Sequence, residues 1–472
     1  EPFFIGDSAT LSHQAARLTG FLDSVTLWKE ALSDEQIAAR FTARPGPPPP
    51  PPQAAVAGEI LFAERHPGRD PSGHYYANFG YNCGNENEWL HGADGGRLAI
   101  LNPKTGQVRA LIADPGGAFR DPVVSYDGTR ALFSHRKTGT HYYNLYEINL
   151  DGTGLKQLTS GDWDDVEPAY LPDGGIVFCS SRCKRYVLCW LAPVAVLFRC
   201  NGDGSGIRQL SSGAVTENTP AVLPDGRILY TRWEYVNRDA VSFHHLWTMN
   251  PDGAGAAAYY GNMHPGGVFI DARPIPGSGK VVYVDSGYHG QNEHIGSVFL
   301  LDLCRGPDDL SQTHPITGNG FRDPYPLSES EFLAARGAEL VAVSNNGTVK
   351  SLWKSAMMVH EPRLITPRPR EPVIPERVDA AKTNGTLLLS SVYIGRNMAG
   401  VKPGSIRKLL IMEQLPKPVN FHGGGTTPIA HGGKWTLNRI LGTVPVEADG
   451  SANFEVPAAR SIYLAALDEN DL

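Results

Sequence analysis

The chain has 472 residues, 41% of them hydrophobic, with 52 Gly, 37 Pro and a formal net charge of −7. That length exceeds one compact core unless a repeat spreads the core out. The Gly and Pro content favours short strands and tight turns over long helices. With no basic stripe and no apolar run of about 18–20 residues, nucleic acid is excluded as a partner and a membrane span is not expected.

In chain order, residues 1–43 end in GFLDSVTLWKEALSDEQIAARF. A strand-like stretch, Phe21–Trp28, runs into a short helix with Ser33 as N-cap and Glu35 and Gln36 in its first turn. This resembles the closing strand and helix of a laminin-G/concanavalin-like domain, of which only a C-terminal remnant would be present. The chain opens as if in mid-domain, so the true N-terminus is expected to lie upstream. Residues 44–56 carry the run PGPPPPPPQAA, a stiff polyproline II linker.

From residue 57 the sequence repeats. SYDGTRALFS (125–134), LPDGGIVFCS (171–180) and LPDGRILYTR (223–232) share one grammar: a strand, a Pro/Asp/Gly turn, a β-rich strand. IPGSGKVVYVDS (275–286) and LSESEFLAAR (327–336) follow more loosely, and a second set of turns (LDGTG, NGDGSG, NPDGAG) adds two strands per unit. A period near 50 residues with four short strands is that of a β-propeller blade. The fold class is all-β, with a six-bladed β-propeller over 57–382 and a small β-sandwich-like domain over 383–472. In the first blade GEILFAER and GRLAILNPKTGQVRALI supply three strands and ERVDAAK (376–382) the fourth. A seventh blade from 383–391 and 407–414 is the alternative.

With strands labelled A to D from the channel outward, the Pro/Asp/Gly turns join A to B, and the B–C and D–A loops share the opposite face. The B–C loops gather most of the His and Cys: His74 and Tyr75 in blade one, His135 and His141 in blade two, Cys179, Cys183 and Cys189 in blade three, Trp233, His244 and His245 in blade four, His289 and His294 in blade five. Asp121, Glu167, Asp271 and Asp323 are placed in D–A loops at the same face. Taken singly these acids read as braces around the channel; the long aromatic loops as a group read as a binding face. No carboxylate pair is singled out for acid–base work, and no catalytic residue is assigned.

Four of six cysteines lie in FCSSRCKRYVLCWLAPVAVLFRC, residues 178–200. Hairpin register separates Cys200 from Cys179, Cys183 and Cys189. Three readings stand for the latter: a Cys183–Cys189 disulfide, a zinc site, or buried thiols. Lys184 and Arg185 are expected to lower a thiol pKa.

GHYYANFGYN, FRDPVVSYDG, DVEPAYLPDGGIVFCSSRCKR, NTPAVLPDGRILYTRWEYV, GSIRKLLIMEQLPKPVNFHGGG and ILGTVPVEADGSANFEVPA, in that order, resemble the hydrazine synthase alpha-subunit-like family. The resemblance implies a propeller, a β-rich middle domain and a c-type haem region. It further implies an extracytoplasmic or periplasmic setting, other redox subunits or a small-molecule substrate as partners, and a cysteine-bound zinc. No CxxCH occurs here, so haem c is expected only in a C-terminal region that these residues lack. The alternative is a non-catalytic module binding protein or carbohydrate, with Tyr75, Tyr76, Trp89, Trp233 and Tyr235 as stacking surfaces.

Overall fold

The computed structural model describes residues 58–68, 81–82, 88–89, 91–187, 192–235, 242–287, 290–395, 398–415, 417 and 437–472. The laminin-G-like tail, the Pro-rich linker, His74, Tyr75, Tyr76, Cys83, Cys189 and His289 lie outside these residues, as do the side chains of Trp89 and Asn292.

Strands such as ILFAE (Ile60–Glu64), IVFCS (Ile176–Ser180) and VVYVD (Val281–Asp285) are apolar runs without alternation. A strand buried on one face alternates; one covered on both faces does not. Stacked blades cover both faces, and Ile60–Glu64 and Ile176–Ser180 are buried throughout. Among the described residues six four-stranded antiparallel sheets result, and their inner strands touch in sequence around a closed ring. The outer strands of blades two to five are short, as in Lys156–Gln157, which limits edge pairing, while Gln107–Asp114 and Val349–Lys354 are longer and largely exposed.

Blades two to six each use four consecutive strands, with inner strands Ala118–Val124, Asp165–Tyr170, Glu217–Val222, Phe269–Pro274 and Arg322–Pro326. In blade one Ile60–Glu64, Gly96–Asn102 and Gln107–Asp114 follow an inner strand from the far end of the ring. That strand is Val359–Leu364, with Ile60 paired to Leu364 and Glu64 to Val359. This corrects the assignment of ERVDAAK to the closing position. Residues 376–382 carry too little apolar surface for an inner strand and are mostly exposed, outside any sheet.

The chain then crosses the A–B turn face as an extended strap. Arg370 Nη1 donates to Pro172 O at 3.1 Å, Arg377 N to Asp252 Oδ2 at 2.8 Å, and Arg208 pairs with Glu376. The A–B turns make room with glycine. Gly226 has φ +88°, and a Cβ there would stand 2.2 Å from Pro372 O. Gly226→Ala is expected to cost about 1–2 kcal/mol and to speed tryptic cleavage at Arg370 and Arg377. Unchanged urea unfolding and unchanged cleavage would contradict the contact.

Residues 384–467 form two small sheets, one pairing Asn384–Leu389 with Ala452–Pro457, the other ordering Asn438–Pro445, Lys408–Gln414 and Ile462–Leu467. They share a core of Leu409, Ile411, Ala452, Phe454 and Val456. The segments proposed for a seventh blade therefore belong to this sandwich-like domain. Lys417, buried, donates Nζ to Val187 O at 3.2 Å, and Ser461 Oγ donates to Ser212 O. The small domain thus touches the B–C loop of blade three and the blade three–four connection. No helix among the described residues is long and apolar enough to cross a membrane.

Candidate functional site: a carboxylate hoop in the channel and the blade-three corner

Every inner strand contains one non-glycine residue in the left-handed region: Asp121, Glu167, Thr219, Asp271, Asp323 and Glu361, with φ between 47° and 58°. Each marks a bulge where pairing to the next strand slips. Five are followed by Pro, at 122, 168, 220, 324 and 362. On a strand edge that faces a channel, Pro leaves no orphan N–H.

The turned-out backbone N–H groups are used between blades. Glu167 N donates to Asp121 Oδ2 (2.9 Å), Thr219 N to Glu167 Oε2 (2.6 Å), Asp271 N to Thr219 Oγ1 (3.1 Å) and Glu361 N to Asp323 Oδ2 (2.9 Å). A left-handed L-residue costs about 1–2 kcal/mol. A hydrogen bond to a charged group contributes about 1.5–3 kcal/mol. The two roughly offset each other, so this hoop holds the blades in register at little net cost.

The sequence reading put Asp121, Glu167, Asp271 and Asp323 in D–A loops. The structure corrects this: all four lie within inner strands, buried in the channel wall, because the bulge occurs mid-strand.

The loops of blades one and five plug the hoop from above. Arg65 donates both bonds of a fork from Nη1 to Glu361 (2.7 and 2.9 Å), and its Nη2 reaches Glu293 Oε2 at 2.7 Å. Gly68 N donates to Glu293 Oε1 at 2.8 Å. Arg120 donates Nε to Asp121 Oδ2 at 2.7 Å and lies 3.4 Å from Glu167. His294 Nδ1 is 3.5 Å from Asp271 Oδ2, and His360 Nδ1 is 3.7 Å from Glu293 and 3.9 Å from Asp323. The space left at this level is about 20 Å³, room for one water.

Burial pushes Glu361 up to about 8 even with Arg65 beside it. It also raises Asp323 and Glu167, helped by the charges of Asp271 and Asp121 respectively. For Asp121 and Glu293 burial opposes ionisation, but the arginines win and hold both below their usual range. His360 falls well below its usual value through burial and the charges of Arg65 and Arg322, leaving a neutral imidazole. His294 rises, because Asp271 outweighs burial. The layer can hold protons and one water, and it closes the channel to larger molecules.

Asp323, His360 and Glu361 bring ligand atoms within 4.8 Å of one another, the one such group of three among the described residues. Glu361 is already neutralised by the Arg65 fork and Asp323 accepts from Glu361 N, so a cation would have to displace an arginine.

At the blade-three corner, Ser181–Cys183 forms a 3₁₀ turn capped by Ser180. Cys179 is buried against Glu167; burial pushes its thiol well up, and the Glu167 charge adds to this. Cys183 donates Sγ to Val194 O at 3.3 Å, and burial raises it despite Arg185. The expectation that Lys184 and Arg185 lower these thiols is corrected. Arg185 is spent on the carbonyls of Ser212 and Gly213, while Lys184 stands over Trp163. Cys200 pairs with Ile176 and Cys179 with Leu197, three ladder positions apart. Among the described residues no third ligand joins Cys179 and Cys183. One buried and one half-buried thiol, both with ionisation disfavoured by their surroundings, do not fit a zinc centre by themselves.

The other face residues divide. His141 is exposed on its loop. Trp233 is buried, stacked 5.0 Å from Tyr235 and 4.6 Å from His244, while His245 stacks on Phe269 at 4.6 Å. These rings pack against each other, so Trp233 and Tyr235 present no open face to a sugar, contrary to the stacking reading. Arg65, Thr219, Glu293, His360 and Glu361 were missed. The signal was present for two of them, in NTPA (218–221) and HEPR (360–363), which repeat the pattern of RDPV, VEPA and RDPY.

Fold and site define a propeller protein of six four-stranded sheets, with a plugged, charged channel and a small β domain docked at blade three. Residues 404–472 match the family model described as hydrazine synthase alpha subunit middle domain. Hydrazine synthase subunit alpha of Kuenenia stuttgartiensis is 24% identical over 307 aligned residues, covering 51% of this chain and 37% of that relative. The solved hydrazine synthase of Kuenenia stuttgartiensis superposes with a TM-score of 0.71 at 17% identity, over 88% of this chain and 66% of that one, which shows a shared fold. TolB from Acinetobacter baumannii aligns at a TM-score of 0.46 and 14% identity, over 69% of each chain. Together the family match and the curated relative support the hydrazine synthase alpha-subunit resemblance. The chain spans little more than a third of that relative's length.

Proposed function

We propose that this chain is the propeller and middle-domain part of an extracytoplasmic, haem-associated redox protein built like the hydrazine synthase alpha subunit. The match of residues 404–472 to that subunit's middle domain carries the reading. The way that domain seats on the propeller supports it. Lys417 and Ser461 anchor it at the blade-three corner, beside the Cys183 turn. The haem belongs to sequence outside the described residues. The propeller supplies a rigid face, and the plugged channel leaves the B–C loop side as the working side.

The test is the absorbance spectrum of the full-length gene product, expressed where c-type haem is attached. A Soret band with a covalently bound haem is expected. Full-length protein that is folded, by circular dichroism, and shows no Soret band would overturn the proposal.

A further inference from the structure

Below the hoop the channel widens. Two positions after each left-handed residue stand Val123, Ala169, Ala221, Arg273, Tyr325 and Arg363, one per blade, and all six line a cavity of about 360 Å³. Its roof is the hoop, and its floor is the strap from Thr366 to Pro372. Val123, Arg273 and Arg363 border both spaces. The wall is divided. Blades two to four contribute only small apolar side chains at this level, while blades five and one contribute two guanidinium groups.

Among the described residues neither cation forms a close ion pair, although the charges of Asp271 and Asp323 act on Arg273. Among the described residues Arg273, half-buried, makes no hydrogen bond and no ion pair. Arg363 is buried; its Nη1 donates to Pro362 O at 2.9 Å, and its Nε has no partner. The nearest acids sit in the hoop above and are engaged, Asp323 by Glu361 N and Asp271 with His294. On the floor, Glu371 is taken by Tyr126 and Arg368, and Arg370 by Pro172 O. Burial, with the Arg363 charge adding to it, lowers Arg273 to about 10. A half-buried and a buried cation oppose each other here, and among the described residues only the more distant charges of Asp271 and Asp323 and the Tyr325 ring under Arg363 offset them.

We propose that this lower vestibule is a binding site for a small organic anion, a carboxylate on an apolar body. The carboxylate would take the forks of Arg273 and Arg363, whose planar donors match it. The body would lie against Val123, Ala169 and Ala221. A mostly apolar cavity of this size with a few convergent polar groups is the usual form of a small-molecule site. An inorganic anion would meet the arginines but leave the apolar wall uncovered. The proposal is independent of the haem reading, since it uses the opposite end of the channel.

Calorimetric titration of the 472-residue chain with octanoate, 1-octanol and sulfate tests it. Octanoate is expected to bind at least about tenfold more tightly than either of the others, because only it uses both head and body. Arg273→Gln and Arg363→Gln are each expected to weaken octanoate at least about tenfold while leaving octanol unchanged. Ala221→Leu, which fills the wall, should abolish both. Two variants guard against one failing to fold. Octanol binding as tightly as octanoate, sulfate binding as tightly as octanoate, or no octanoate binding to the folded protein would each overturn the proposal.

Discussion

Replacing Arg65 by Met is expected to lower the stability of the propeller by about 3–5 kcal/mol at neutral pH, the usual cost of removing one partner from a buried ion pair. Met keeps much of the side-chain volume, so the loss reports charge rather than a cavity. Arg65 is the counter-ion of Glu293, which it holds ionised, and its fork also donates to Glu361, whose proton burial retains near neutral pH. The charges of Asp121 and Asp323 also act on Arg65. Without the guanidinium, Glu293 must take up a proton or remain as an unpaired buried charge. The same reasoning gives a partial rescue: Arg65→Met with Glu293→Gln should be more stable than Arg65→Met alone. Urea unfolding followed by tryptophan fluorescence measures both. A single-variant loss below about 1 kcal/mol would place the pair among the weak surface pairs and sink the argument.

The second large effect is a pH dependence at Asp164. This residue is fully buried; its Oδ1 accepts from Tyr143 N at 2.9 Å, and its Oδ2 has no partner. Burial pushes it up to about 7, and the neighbouring Asp165 charge adds to that. Between pH 3.8 and 7 the folded chain keeps this proton while the unfolded chain has lost it. Stability from this group is therefore full at low pH and lost as pH rises through that window, by about 1.4 kcal/mol per unit and about 4 kcal/mol in all. Asp164→Asn keeps the acceptor for Tyr143 and cannot ionise. The difference in unfolding free energy between variant and wild type should shift by about 4 kcal/mol in the variant's favour from pH 4 to pH 8. Groups common to both chains cancel in that difference. A flat difference would show that Asp164 ionises normally in the folded state.

The repeating turns were legible because they rest on local chemistry. A Pro/Asp/Gly turn between β-rich runs needs no knowledge of the rest of the molecule, and YDGT, PDGG and PDGR set the blade period unaided. The closing strand was harder. VHEPRL and ERVDAAK are both short, and only pairing with Ile60–Glu64, some 300 residues away in the sequence, decides between them. The acids next to Pro were legible as a set, but their depth was not. A residue two positions into a strand and one at a loop end look alike until the bulge is seen. The thiols failed for a different reason. Lys184 and Arg185 adjoin Cys183 in sequence; Lys184 stands over Trp163 instead, and the lowering by Arg185 is outweighed by burial.

The order of the strands in blade one bears on how the ring is made as the chain is synthesised. Ile60–Glu64 is fully apolar apart from Glu64, and its partner Val359–Leu364 emerges about 300 residues after it. Until then one edge of that strand and the inner faces of two blades have no cover, a long-range contact of the kind that slows folding and exposes intermediates. Closure brings Arg65 onto Glu361 in the same movement, since each follows or lies within one of the two pairing strands. The ion pair can therefore form only in the closed ring. A chain cleaved before residue 364 would keep an open, charged channel wall and an unpaired strand edge.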